Sequence, residues 1–111
     1  MAKDDYDVIV FRILGYLYKQ LKKGEPVEAE MLRYDSKTCN INEFYWKYIM
    51  TSMQEEGLIS GLQKEEGQED DNWIEKQLAN TQITPKGIAL LGDNPMMDKV
   101  EKLVKGILNI G

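Results

Sequence analysis

Asn42, Phe44, Lys47, Tyr48 and Thr51 fall within one ten-residue stretch, "NEFYWKYIMT". Their side chains have the chemistry of base-edge contacts. Lys47 could reach a guanine edge or a phosphate, Asn42 and Thr51 could hydrogen-bond to bases, and Phe44 could meet a thymine methyl. The same stretch also supports a second chemistry. Exposed aromatics without basic neighbours fit a protein partner, because aromatic side chains are enriched at protein interfaces. Farther along, Lys86 stands in the first turn after Thr84, where free backbone N–H groups could help hold a phosphate.

Charge weighs against nucleic acid. The 111 residues carry a formal net charge of −5. From Asn42 to Gly57, Lys47 stands against Glu43, Glu55 and Glu56. From Gln63 to Gln77, Lys64 and Lys76 stand against Glu65, Glu66, Glu69, Asp70, Asp71 and Glu75. Such a segment repels a phosphate backbone. It reads as a solvated loop, or as a docking tip for a basic protein with Trp73 as its anchor. Its acids lack the alternation, the sixth-position glycine and the twelfth-position glutamate of a calcium loop. No metal site is expected.

Other chemistries are excluded by composition. The chain has no histidine, so His bases, His triads and His metal ligands are absent. There is neither a P-loop nor a G-x-G-x-x-G stretch, and no cofactor is expected. Cys39 is the single cysteine; no internal disulfide can form, and it reads as a buried or half-buried thiol without a chemical role. No constellation for catalysis is present, so the chain is read as a non-enzyme. The start, "MAKDDYD", lacks a signal-peptide pattern, and no apolar run approaches a membrane span. A cytoplasmic protein is expected.

The elements that must position these residues can be read from periodicity. Tyr6, Val10, Ile13, Leu14, Leu17 and Leu21 make one apolar stripe, which predicts a helix from Asp5 to Lys23 with Gly24 as its C-cap. A short helix is predicted from Pro26 to Arg33. A third runs from Asn42 to Glu56, with Asn40 or Asn42 as N-cap and Gly57 ending it. Its core face should be Tyr45, Ile49 and Met53, flanked by Trp46 and Met50. "LISGLQK" has strand character, and the chain returns through "WIEKQLANTQI", whose alternation is poor. Ile83 should end that return strand, Thr84 should cap a helix and Pro85 should open it. After Asn94 and Pro95, a last stripe of Met97, Val100, Leu103, Val104 and Ile107, with Met96 and Leu108, can fold back or pair with a second copy of the chain.

Three helices, a hairpin and more helix is the order of a winged helix. The expected fold is therefore α+β, mostly α: one winged-helix domain over 1–111. Helices fill 1–57, a wing hairpin 58–83, and C-terminal helices 84–111.

The stretches "FRILGYLYKQLKKG", "EFYWKYI", "EEGLISG", "ITPKGIALL" and "NPMMDKVEKLVKGI" carry a specific resemblance. Together they resemble the YjcQ-like family of small winged-helix proteins from Gram-positive bacteria and their phages. The resemblance covers nearly the whole chain and is weakest from Gln63 to Ala79. It implies the fold and a phage or prophage origin. Two functional expectations follow. One is a small transcriptional regulator binding duplex DNA as a dimer, through Asn42, Phe44, Lys47, Tyr48 and Thr51 with Lys86. The other is a protein-interaction module using Phe44, Tyr48 and Trp73 with the acidic wing against a basic partner.

Overall fold

The structure, a computed structural model, describes residues 2–64 and 72–93. The described residues are mostly helical with one small sheet. Helix α1 spans Tyr6–Lys23, α2 Ala29–Leu32, α3 Glu43–Glu55 and α4 Pro85–Asp93. Strands β1 (Ile59–Ser60) and β2 (Gln82–Ile83) pair antiparallel, with Ile59 opposite Ile83 and Ser60 opposite Gln82.

Helix α1 is the spine. Val10, Ile13, Leu14 and Leu17 of the predicted stripe are buried, with Ile9 sealed beside them, whereas Leu21 at the end of the stripe is 59% exposed. Gly24 ends the helix at φ 70°, and the Gly24 and Glu25 N–H groups donate to the Leu21 and Gln20 carbonyls. This satisfies two carbonyls that the last turn leaves open. Trp46, Ile49, Met50 and Met53 of α3 close onto the spine, and Leu58, Ile59, Leu62 and Ile83 fill in from the sheet and its flanks. Tyr45 is only half-buried, unlike the core role expected of it, because its hydroxyl reaches out to the Asp4 carbonyl at 2.8 Å.

Helix α2 is shorter than periodicity suggested. Residues before it are held extended by α1: Gln20 Nε2 donates to the Pro26 carbonyl at 2.8 Å, and Glu28 N–H donates to the Tyr16 hydroxyl at 2.9 Å. These tertiary bonds anchor residues 26–28 along α1, and α2 begins only at Ala29. The choice between two asparagines at α3 is also settled. Asn40 takes φ 50°, a conformation Asn tolerates better than most residues, and Asn42 is the N-cap.

The wing differs most from expectation. Only two residues of each limb are strand, and most of the return limb, Glu75–Asn80, is a 3-10 helix. Ile74 and Leu78 are both buried. Their four-residue spacing suits a helical turn, and this is why alternation looked poor. Side chains replace the missing ladder. The Gln77 amide accepts from Gln63 N–H at 2.8 Å and donates to the Gln63 carbonyl at 2.7 Å. Gln54 Oε1 accepts from Leu62 N–H at 3.2 Å. The Leu62 N–H and both backbone groups of Gln63 thus find partners without a strand beside them. The acids from Glu65 to Asp71 and the terminal stripe from Met97 to Ile107 lie outside the described residues.

The junction after β2 forms as its residues dictate. Thr84 Oγ1 accepts from Gly87 N–H at 3.1 Å and donates to the Gly57 carbonyl, while Thr84 N–H donates to the Leu58 carbonyl at 3.1 Å. One threonine therefore caps α4 and ties it to the end of α3. Gly87 lies where a Cβ would stand 2.4 Å from the Leu58 carbonyl oxygen, so only glycine allows α4 this close.

Candidate interaction face on the third helix

The N-cap fixes where this face begins. Asn42 Oδ1 accepts from Tyr45 N–H at 2.8 Å, so the amide expected to read a base is engaged in starting the helix. Lys47 Nζ lies 3.6 Å from Glu43 Oε2, one turn earlier. Such an i,i+4 pair is worth only about 0.3–0.5 kcal/mol, but it sets a carboxylate against the one lysine of the face. The Thr51 hydroxyl donates to the Lys47 carbonyl. Lys86 Nζ donates to the Glu56 carbonyl at 2.9 Å and so caps the C-terminus of α3. Four of the six residues expected to contact DNA therefore have an internal partner, through the Asn42 Oδ1, the Thr51 hydroxyl and the Lys47 and Lys86 ammonium groups.

The two aromatics are different. Phe44 is 87% exposed and Tyr48 62% exposed. They lie one turn apart on α3, and Tyr6 meets Tyr48 edge-on, with ring centroids 6.3 Å apart. The Tyr45 hydroxyl binds the start of α1 beside them, and its phenol is pushed above its ordinary range, first by burial and then by the nearby carboxylates of Asp4 and Asp5. The aromatic patch therefore has an acidic margin, from Asp4, Asp5, Asp7 and Glu43. Sequence reasoning placed Tyr6 in the core stripe and missed these acids. No local pattern signals the contact, because 41 residues separate Asp4 from Tyr45.

Trp73, the expected wing anchor, is half-buried and packs against the core at the start of the 3-10 segment. Arg33 is held by Asp35 at 3.2 Å and Glu75 at 3.3 Å, which joins the end of α2 to that segment. Among the described residues, no group of acids, cysteines or histidines is placed to hold a metal ion, and no helix is long and apolar enough to cross a membrane.

The family described as YjcQ protein matches residues 11–110, nearly the full length. The chain belongs to the YjcQ family. This YjcQ chain is also similar to Uncharacterized protein MG027 of Mycoplasma genitalium, at 31% identity over 83 residues. That match covers 75% of the chain and 54% of the relative, so the YjcQ chain spans about half the length of the curated protein it matches. No solved structure matches it.

The YjcQ thiol is buried as expected. Cys39 is 1% exposed, and its Sγ lies 3.6 Å from the Leu32 carbonyl, to which it donates. Burial pushes its pKa from 9.0 up to about 12, against smaller opposing effects of Ser36 and Arg12. The folded protein at pH 8 should leave Cys39 unreacted with a thiol-disulfide reagent, whereas the denatured chain reacts at once. The thiol's contribution to stability is complete below pH 9.0, where folded and unfolded chains both keep the proton. It falls as pH rises from 9.0 towards about 12, because only the unfolded chain ionises. Denaturant unfolding at pH 8 and pH 10 checks the sign, with Cys39→Ala as the variant that should lose this part of the pH dependence.

Proposed function

We propose that this protein is a protein-interaction module whose docking face is the Phe44–Tyr48 surface of α3. The observation that carries the proposal is the exposure of both rings within an acidic margin, while the polar groups beside them are engaged internally. Large rings that bury on contact are the side chains that dominate interface energetics. The acidic margin fits a basic partner, whose arginine or lysine side chains could stack on the rings and pair with the carboxylates.

A second reading is favoured by one observation. A short helix followed by α3 and a small antiparallel pair is the order of elements in a winged helix, where the third helix enters the major groove. On that reading the protein is a phage or prophage regulator that binds duplex DNA.

One pair of titrations separates the two. Fluorescence anisotropy is measured with a library of basic peptides and with a pool of random duplexes, at about 50 mM salt, where phosphate contacts are strongest. The expected result is peptide binding that weakens by about tenfold or more in the Phe44→Ala/Tyr48→Ala double variant, since each anchor ring is worth roughly 1 kcal/mol or more. The melting temperature of that variant should barely change, because both rings are exposed. Duplex binding that survives the double variant and is lost in Lys47→Glu would overturn the protein reading in favour of DNA.

A further inference from the structure

Strand β2 has a free edge. Thr84 N–H donates to the Leu58 carbonyl at 3.1 Å, so residues 58 and 84 face each other across the pair. Inward and outward groups alternate along an antiparallel pair, so Ser60 and Gln82 also face inward, while the N–H and C=O of Ile83 point away from β1. Among the described residues, nothing hydrogen-bonds to either Ile83 group. Ile83 lines a groove of about 210 Å³, together with Leu17 and Leu21 of α1 and with Pro26 and Val27 beyond that helix. Three large apolar side chains are exposed among the described residues: Phe44 and Tyr48 on α3, and Leu21 here. The segment across the groove offers β2 little to pair with. Glu25 N–H donates to the Gln20 carbonyl at 3.0 Å, Pro26 has no N–H, and the Pro26 carbonyl accepts from Gln20 Nε2. The groove is also remote from the α3 rings. Tyr6, which touches Tyr48, stands about 22 Å from Leu21 along the α1 axis, at roughly 1.5 Å per residue.

We propose that this groove is a second docking site, and that its occupant is an extended segment of a partner protein, added beside β2 as a third strand. The backbone selects a strand: one residue that presents both an N–H and a C=O outward is what a neighbouring strand bonds to. The lining selects its side chains. Leu17, Leu21 and Val27 take the apolar residues that alternate along one face of such a segment. Small-molecule sites span roughly 300–1,000 Å³, so this groove is better matched to a few side chains than to a whole ligand. Exposed strand edges are commonly blocked by charge or proline, and Gln82–Ile83 carries neither. Glu25 is the one charged residue of the lining, so the contact rests on backbone bonds and apolar burial. It differs in this from the acid-bordered α3 face and does not depend on it.

The test titrates the full chain with a short neutral peptide that has valine at alternate positions and serine or glutamine between them. Nitrogen-correlated NMR should show the Leu21, Val27 and Ile83 amides moving with one saturation curve, and exchange of the Ile83 N–H should slow by about tenfold or more. Two N-methylated peptides, one blocked at the valine amides and one at the intervening amides, should behave differently. One should fail to bind and the other should bind as the parent does, because only alternate amides of a strand face its neighbour. Leu21→Glu should weaken binding about tenfold or more and leave the melting temperature unchanged, since that side chain is exposed. The Phe44→Ala/Tyr48→Ala double variant should bind as the native chain does. The proposal is overturned if the Ile83 N–H is unaffected at about 1 mM peptide, if the two methylated peptides bind alike, or if Leu21→Glu binds as tightly as the native chain. An Ile83 N–H already protected without peptide also overturns it. Protection that rises with protein concentration then assigns the groove to a second copy, and protection independent of concentration assigns it to the chain's own residues. Binding lost in the double variant places the peptide on α3, which overturns this site and leaves the α3 docking face standing.

Discussion

Replacing Trp46 by alanine should cost about 4 kcal/mol of folding stability, as large-to-small changes at sealed aromatic sites do. The indole is fully buried. Its Nε1–H donates to the Leu32 carbonyl at 2.8 Å, and Tyr34 meets it edge-on with centroids 5.8 Å apart. Three contributions are therefore lost together: burial, a ring contact and the hydrogen bond that joins α3 to the end of α2. The Leu32 carbonyl would keep only the Cys39 thiol, a weak donor. Trp46→Phe separates these contributions, because it keeps most of the burial and loses the N–H. It should cost about 1–2 kcal/mol, the penalty of weakening one buried hydrogen bond and leaving a small void. Denaturant unfolding of the two variants measures both. A loss under about 1 kcal/mol for Trp46→Ala would show that α2 is not held to α3 in this way.

Gly61→Ala should be nearly as damaging. Gly61 sits at φ 101°, just after β1, and a Cβ there would stand 2.1 Å from the Asn80 carbonyl oxygen and 3.3 Å from the Thr81 Cα. Both obstacles belong to backbone, so no side-chain rotation relieves the clash. The two limbs would have to separate at the point where β1 and β2 pair. Strain and overpacking together give an expected loss of about 3 kcal/mol. Gly24→Ala is the matched control. Gly24 also has a positive φ, at 70°, but nothing lies within 4 Å of its would-be Cβ. Its cost should be only the backbone preference, about 1 kcal/mol. A similar loss at both positions would mean that the limbs do not approach each other this closely.

The parts of the fold that could be read from the sequence are those set by residues a few positions apart. The α1 stripe and its Gly24 stop, the asparagine start of α3, its Gly57 end and the Thr84–Pro85 opening of α4 all follow from side-chain chemistry within one helical turn. The wing could not be read this way. Whether "WIEKQLAN" becomes strand or turn depends on Ile74 and Leu78 finding the core, and on Gln77 finding the backbone of Gln63, 14 residues earlier. The candidate site divides in the same manner. That Phe44 and Tyr48 face away from the core followed from helical spacing. That Lys86 caps the end of α3, 30 residues earlier, did not.

The sequence by itself determined which of the described segments coil, where three of the four described helices stop or start, and which face of α3 is left aromatic. Each of these depends on steric and hydrogen-bonding preferences acting over about one turn of chain. Tertiary structure alone decided that the return limb is a short 3-10 coil, that acids from the start of the chain border the α3 rings, and that the Arg12 Nε and the Thr38 hydroxyl are enclosed without acceptors. Those outcomes depend on which distant groups meet once the core has closed, and local spacing carries no record of them.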